Sequence, residues 1–338
     1  MKPQGILARY KLRLRRKRLL WRAFRKRREL RVVSKRTQAI RPDDALLFAT
    51  MRNERLRLPF FLEHYRRLGI RHFLIVDNES DDGTGAYLRD QPDVSLWQTT
   101  TSYKAARFGM DWLTCLQWRY GHGHWTVTVD ADELLIYPDW EMRDLPALTN
   151  WLDAQGCEAM GALMLDLYPK GPIEAHSYRA GQDPTEVLNW FDAYGYWAQR
   201  QAKMQNLWLQ GGARARFFFA AAPELAPTLN KTPLVKWDRS YVYLNSTHNA
   251  LPAKLNHIYD EDGLEKVSGV LLHTKFLPGA SARAQSEQRR AEHFSNAALY
   301  DDYYESVAAN PDLWDETSLQ YEGWEQLLRL GLMRRSKW

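Results

Sequence analysis

Between residues 45 and 136, short apolar runs alternate with segments that have the periodicity of helices. The runs at residues 45–50, 72–76 and 125–129 are apolar almost throughout, which is typical of strands buried on both faces. A further short strand pattern covers residues 94–97. The segments with helical spacing span residues 58–68, 84–89 and 108–120. This βαβαβ alternation predicts the α/β class, with a Rossmann-like, mostly parallel sheet flanked by helices.

Polar residues follow three of these strands, where parallel sheets of this class bind their ligands. One group comes after residue 50, a second after residue 76 and a third after residue 129. The residues in question are Arg52, Asn53, Glu54, Asp77, Asn78, Asp82, Asp130 and Asp132. We therefore expect these side chains to meet at one edge of the sheet.

Asp130 and Asp132 are two residues apart at the end of an extended segment, so their carboxylates can face the same side. Hard oxygen ligands of this kind suit Mg²⁺ or Mn²⁺, which commonly combine one or two carboxylates with phosphate oxygens of a substrate. Acids two apart also arise by chance, and a charged turn that caps a helix explains them equally well. The position of the pair after a buried strand favours the metal site.

The segment from Asp77 to Thr84 has the composition of a turn, and Asx turns with a helix cap would account for its polar residues. In the functional interpretation, Asp77 accepts hydrogen bonds from a nucleoside, as acids at strand ends do in dinucleotide folds. Neither a GxGxxG loop nor a Walker-type loop is present, which argues against NAD binding and P-loop phosphoryl transfer.

Charge divides the chain into a basic arm and an acidic body. Residues 1–36 contain 16 Lys or Arg and one acid, Glu29, so the arm carries +15 and the remainder −9. Apolar residues recur in the arm at spacings of three, four and seven, as in an amphipathic helix that lies on an anionic membrane surface. They are Leu7, Tyr10, Leu14, Trp21 and Phe24. A solvated, disordered tail and, less favoured, a nucleic-acid arm are the alternatives.

The prediction of where the protein lies in the cell rests on features that are missing from the sequence. No apolar run of about 18 residues could span a bilayer, and arginines interrupt any signal-peptide core. Cys115 and Cys157 are too few for a disulfide framework, which fits a reducing compartment. We expect a cytoplasmic protein, peripheral at the inner face of the plasma membrane if the arm binds lipid.

Three motifs in order carry a family resemblance: residues 51–54 (MRNE), residues 75–84 (IVDNESDDGT) and residues 129–133 (VDADE). Together they resemble the GT-A glycosyltransferases, most closely bacterial family 2-like proteins, with some likeness to family 92. The resemblance covers residues 45–300 and is strongest up to residue 136. It implies a GT-A fold and a nucleotide-sugar donor.

The resemblance also implies roles for individual residues. Asp77 would contact the nucleoside, with Asn53 and Glu54 lining its pocket, and Asp130 with Asp132 would hold Mn²⁺ or Mg²⁺ on the donor diphosphate. Arg52, Asn78 and Asp82 lie in the same loops and are counted with the nucleotide site.

A third metal ligand in such enzymes is often a histidine from the C-terminal part. We favour His273, which follows an apolar run, over His248. Lys275 lies two residues further on, where its cation would neutralise the leaving diphosphate. A histidine that is hydrogen-bonded in the core is the alternative for His273. Other basic residues suit phosphate binding or a solvated surface equally, namely Lys231, Lys236, Arg214 and Arg216.

An inverting transfer needs a carboxylate base near the acceptor hydroxyl. Our first choice is Asp192 and our second Asp166, with Glu174 and Glu224 as weaker candidates. Aromatic residues around Asp192 would stack on sugar rings, although packing in the core is the commoner fate of such a cluster.

The predicted organisation is a basic arm at residues 1–40 and one catalytic domain at 41–338. Within that domain we expect a nucleotide-sugar half (41–136), an acceptor half (137–300) and a helical tail (301–338). A polar helix is expected at residues 281–293.

The predicted function is the metal-dependent, inverting transfer of a sugar from a nucleotide sugar to a glycan or lipid-linked acceptor. One alternative is another Mg²⁺-dependent phosphate enzyme, either a nucleotidyltransferase or an aspartate-dependent phosphatase. The other alternative is a scaffold that binds polyanions through residues 1–36.

Overall fold

A computed structural model describes residues 5–259, 266–290 and 297–338. Its α-helices are α1 Ile6–Lys26, α2 Leu58–Arg67, α3 Thr84–Arg89, α4 Met110–Leu116, α5 Leu145–Ala154, α6 Ala280–Arg290, α7 Ala297–Ala308 and α8 Trp324–Arg329. Its strands are β1 Arg31–Ser34, β2 Leu46–Met51, β3 His72–Asp77, β4 Val94–Gln98, β5 Trp125–Thr128, β6 Glu133–Ile136, β7 Ala159–Asp166, β8 Trp190–Phe191, β9 Trp197–Arg200, β10 Leu207–Gln210, β11 Asn230–Lys236, β12 Val242–Tyr243, β13 Ala250–Leu251, β14 Gly269–His273 and β15 Leu319–Gln320.

Nine of these strands form one sheet in the described part of the chain, in the order β1-β4-β3-β2-β5-β11-β7-β14-β6. The block β4-β3-β2-β5 is parallel throughout, and Met51 at the end of β2 lies in register with Asp77 at the end of β3. Going from β4 to β2 the strands run backwards in chain order, and from β2 to β5 the order turns forwards. Open α/β sheets form their ligand crevice at such a switch point.

The other half of the sheet is mixed. Strand β11 runs antiparallel to both β5 and β7, whereas β14 is parallel to β7 and antiparallel to β6. Through this pairing β14 brings His273 into register with Glu133 on one side and Asp166 on the other. The expected α/β class, a large central sheet flanked by helices with a basic N-terminal helix, is confirmed.

The βαβαβ prediction for residues 45–136 is confirmed, with one helix shorter than expected. Helix α4 begins at Met110 instead of residue 108, because Arg107 and Phe108 have φ of 53° and 56° and Gly109 has φ of 74°. A residue with such a positive φ cannot belong to a right-handed α-helix, so the helix can begin only after Gly109. At its other end, α4 widens into a π turn over Gln117–Gly121. The polar helix predicted at 281–293 is α6, and its last predicted residues lie outside the described ones.

Alternation along the strands divides the core between the two faces of the sheet. Leu47 and Ala49 of β2 pack with Phe61 of α2 on one face, whereas Leu46 and Phe48 pack with α4 on the other. All four of these β2 side chains are fully buried. A strand covered on both faces has no solvent side, which explains the continuous apolar run.

Helix α1 is docked on the body. Leu12 and Ala23 are its buried side chains, and Leu12 packs against Val242 and Leu251. Nε of Arg22 donates to the buried carboxylate of Asp111 at 2.6 Å. Within the described ranges, none of the helices combines the length and apolar content needed to cross a bilayer.

Candidate functional site

A cavity of about 910 Å³ opens at the carboxyl ends of β2 and β5, where the sheet order reverses. Of the predicted site residues, eight line this cavity. They are Arg52, Asn53, Glu54, Asn78, Asp130, Asp132, His273 and Lys275. The sheet topology therefore brings together residues that are as much as 223 positions apart in sequence, because β14 places His273 and Lys275 beside the Asp130–Asp132 motif that follows β5.

The first carboxylate of the motif is paired with a buried lysine. Nζ of Lys231, on β11, lies 3.1 Å from Oδ2 of Asp130 and 2.8 Å from Oε1 of Glu133. Burial would lower the pKa of Lys231, but the two carboxylates outweigh it and raise the pKa above its usual range. Lys231 is therefore a fixed cation in the cavity wall.

The second carboxylate begins a chain of charged contacts that runs into the core. Oδ2 of Asp132 lies 3.3 Å from Nε2 of His273, and Nδ1 of His273 lies 2.6 Å from Oδ1 of Asp166. Nε of Arg214 donates to the other oxygen of Asp166 at 2.7 Å. Asp166 thus occupies the buried side of the histidine, while Nε2 is directed towards the cavity.

The pKa values along this chain follow from its alternating charges. Burial would raise the pKa of Asp166, but Arg214 and His273 lower it to about 2. Burial would lower the pKa of His273, yet Asp132 and Asp166 raise it above the usual value. For Asp132, the raising effect of burial is overcome by His273, Arg57 and Lys275, and its pKa lies well below normal.

Asp132 and His273 fit a divalent cation that completes its shell with ligand or water oxygens. Oδ2 of Asp132 and Nε2 of His273 are 3.3 Å apart, so one divalent cation could contact both atoms. Asp166 holds Nδ1 of His273 and would keep the ring oriented if Nε2 bound a metal. Within the described residues, no group of three or more His, Cys, Asp or Glu side chains is placed to hold a metal ion.

Hydrogen bonds join the loop after β2 to the loop after β3. Asn53 N–H donates to Oγ of Ser80, Asp81 N–H donates to Oδ1 of Asn53, and Arg55 N–H donates to Oδ2 of Asp82, each at 2.9 Å. Asn53 adopts φ of 54°, the left-handed conformation that asparagine tolerates. The two motifs therefore hold each other in place at the cavity wall.

Asp77 and Asp82 serve these loops and do not line the cavity. Oδ1 of Asp77 accepts hydrogen bonds from N–H and Oγ of Ser80, and Oδ1 of Asp82 accepts one from Thr84 N–H. These contacts match the turn interpretation of the segment. The nucleoside contact for Asp77 stays a prediction, since turning its carboxylate outwards would break two hydrogen bonds.

Neither predicted base lines the cavity. Asp192 accepts hydrogen bonds from Arg216 at 2.7 and 3.0 Å and from the hydroxyl of Tyr168. Asp166 is held between Arg214 and His273. A carboxylate tied to an arginine in this way is poorly placed to take a proton from an acceptor, so the base assignment gains no support from the geometry.

Sequence reasoning did not single out several charged residues of the cavity, notably Arg57, Arg283 and Glu133. Arg57 is buried, lies 2.8 Å from Glu54 and donates to the carbonyl oxygen of Thr274 at 2.9 Å. It thereby ties the start of α2 to the segment that carries Lys275. Burial raises the pKa of Glu54 and lowers that of Arg283 to about 10.

No family model matches the chain, and no curated protein matches it in sequence. Among solved structures, it is similar to the mannosyltransferase PcManGT from Pyrobaculum calidifontis, solved in complex with GDP-Man and Mn²⁺. That match has 21% identity over 49% of this chain and 45% of the other, with a TM-score of 0.25. A 4-diphosphocytidyl-2C-methyl-D-erythritol synthase is 14% identical over 42% of this chain and 68% of the other, also with a TM-score of 0.25.

The chain thus spans less than half the length of the mannosyltransferase. Both likenesses are distant, and the resemblance to glycosyltransferase families 2 and 92 has no matching family model behind it. The cavity itself combines carboxylates, the two histidines His248 and His273 and several fixed cations at a switch point of the sheet. These features are the basis for assigning a function.

Proposed function

We propose that the protein is a metal-dependent glycosyltransferase that moves a sugar from a nucleotide-sugar donor to a glycan or lipid-linked acceptor. The observation that carries the proposal is the pairing of Asp132 with His273 at the wall of a 910 Å³ cavity. A divalent cation held there would stabilise negative charge on a donor diphosphate.

The cations of the cavity support a diphosphate as the ligand. Lys275, Lys231 and Arg214 line the same wall as the carboxylates. Within the described part of the chain, Nη2 of Arg214 is buried and has no hydrogen-bond partner. A buried donor left unpaired costs about 1–3 kcal/mol, which a phosphate oxygen would recover. This arrangement suits an anion bound beside the metal ligands.

The reaction displaces the diphosphate from the anomeric carbon of the sugar. The acceptor oxygen forms the new bond to this carbon, while the bond to the phosphate oxygen breaks and the nucleoside diphosphate leaves with the electron pair. The acceptor hydroxyl gives its proton to a base, and attack opposite the leaving group inverts the anomeric centre. Lys275 and Arg214 would hold the departing negative charge.

A thermal-shift screen of nucleotide sugars and nucleoside diphosphates, with and without Mn²⁺ or Mg²⁺, tests the proposal. A donor that binds the native state at 100 times its Kd adds about 2.7 kcal/mol of stability, so the matching nucleotide should raise the melting temperature. The rise should require the metal, and the same nucleotide sugar should be hydrolysed slowly. If no member of the panel shifts the melting temperature or is turned over with metal, the proposal is wrong.

Asp166→Asn should weaken Mn²⁺ binding by about 10- to 100-fold, the usual effect of losing the carboxylate that orients a metal-bound histidine. We place Asp166 as a positioning residue, so the measurement is Mn²⁺ affinity by titration, followed without any nucleotide. Asp192→Asn is the matched control, because it removes another buried carboxylate paired with an arginine. Equal losses in both variants would show that the effect is general destabilisation.

A further inference from the structure

Helix α1 has two apolar faces, and only one of them is packed. At about 100° per residue, Leu12 and Ala23 lie on the face that contacts the body. The exposed large apolar side chains of α1 fall within an arc of roughly 100° on the opposite face. They are Ile6, Leu7, Tyr10, Leu14, Trp21 and Phe24, with exposed fractions between 48% and 85%. The stripe seen in the sequence is therefore the solvent face of a docked helix.

Cations lie beside and within this exposed stripe. Arg13, Lys17 and Arg18 are exposed on α1, and the guanidinium of Arg25 lies over the ring of Trp21 at 4.8 Å. The guanidinium of Arg27 lies over the ring of Phe24 at 3.9 Å. Aromatic rings beside arginines on a helix that lies flat on the protein surface are suited to a boundary between apolar and anionic groups.

We propose that the exposed face of α1 docks on an anionic lipid bilayer. The apolar stripe would enter the level of the acyl chains, while the flanking Lys and Arg side chains contact lipid phosphates. Leu12 and Ala23 already hold the helix on the body, so it does not have to fold at the membrane. Preorganisation of this kind lowers the entropic cost of binding.

Charge and polarity argue against a second copy of the chain and against nucleic acid as the partner that binds this face. A second copy of the chain would place two arms of net charge +15 together, which opposes pairing through α1. Nucleic acid would satisfy the cations, but aliphatic side chains such as Leu7 and Leu14 would gain nothing from a phosphate backbone. A bilayer with acidic headgroups satisfies the cations and the apolar stripe together.

Docking would also place the cavity at the membrane. Arg15 and Leu19, on the flank of α1, line the cavity. If the cavity carries out the proposed sugar transfer, on which this step depends, its acceptor would be a lipid-linked molecule that reaches the cavity from the bilayer. Membrane docking itself does not depend on the reaction.

Vesicle co-sedimentation with the full chain tests the docking face. The variant combines Leu7→Gln, Trp21→Gln and Phe24→Gln, which keeps every charge and favours a helix. We expect wild type to bind phosphatidylcholine vesicles containing 30% phosphatidylglycerol and the variant to bind them at least tenfold more weakly. Neither protein should bind vesicles of phosphatidylcholine alone.

The control variant carries Met142→Gln, Tyr194→Gln and Leu225→Gln, three apolar or aromatic residues exposed elsewhere on the body. It should bind anionic vesicles as wild type does. Equal vesicle binding by the α1 variant and wild type would overturn the proposal, as would tighter binding of duplex DNA than of anionic vesicles at the same salt concentration. Donor hydrolysis without vesicles should be equal in all three proteins, and its absence would count against the proposed reaction alone.

Discussion

Asp132→Asn should reduce turnover of the nucleotide sugar by about a thousandfold. Oδ2 of Asp132 lies 3.3 Å from Nε2 of His273, and the change replaces this carboxylate of the proposed metal site by an amide, which is a weaker ligand. A metal supplies several kcal/mol of stabilisation to a transferring phosphate, and about 4 kcal/mol corresponds to a factor of a thousand. The measurement is donor hydrolysis at saturating Mn²⁺, together with the metal-dependent thermal shift, which should disappear.

The matched control is Asp90→Asn, because Asp90 is an exposed carboxylate that pairs with its sequence neighbour Arg89. Turnover and thermal shift should stay at wild-type values in this variant. Asp132 contributes its backbone carbonyl to hydrogen bonds with Thr274, and the substitution preserves them. A variant that is folded, yet keeps both turnover and the metal-dependent shift, would remove Asp132 from the proposed metal site.

The parallel half of the sheet could be predicted because each of its strands and helices has a pattern within its own short stretch of sequence. Strands β2, β3 and β5 are buried on both faces, so their apolar runs stand out, and helix α3 was predicted with its observed bounds. The rule that ligands bind at the carboxyl ends of such strands then places Asp130 and Asp132 at a cavity.

The other half depends on contacts that sequence spacing does not reveal. His273 reaches Asp132 only because β14 lies between β7 and β6, an order that no local pattern encodes. Likewise, a carboxylate can act as a base only if it faces the cavity, whereas a carboxylate that faces an arginine forms an ion pair. Asp192 and Arg216 are 24 residues apart, and nothing in either segment indicates that they meet.

For a similar reason, the sequence could not decide how the polar residues of the turn after β3 are used. The residues from Asp77 to Thr84 have side chains that can bind a ligand or their own backbone with the same atoms. In the structure, Asp77 and Asp82 bind the loop, and Asn78 is the member of the trio that lines the cavity. Composition alone could not separate these two uses, because both favour short polar side chains at a strand end.

Lys231→Met should destabilise the protein by about 3–5 kcal/mol, the range seen when one partner of a buried ion pair is removed. Lys231 and Glu133 are 2% and 0% exposed, so the substitution leaves the carboxylate of Glu133 unpaired and out of contact with water. Asp130 is affected less, because 42% of its side chain is exposed and water can screen its charge. The measurement is urea-induced unfolding followed by circular dichroism.

The double variant Lys231→Met with Glu133→Gln separates the structural role of the lysine from a role in donor binding. With both charges gone, no buried ion remains unpaired, and most of the lost stability should return. Donor affinity should not return, because Lys231 also lines the cavity as a fixed cation beside Asp130. Recovery of stability together with full donor affinity would limit Lys231 to holding Glu133. No recovery of stability would mean that the lysine supports the fold through contacts other than the ion pair.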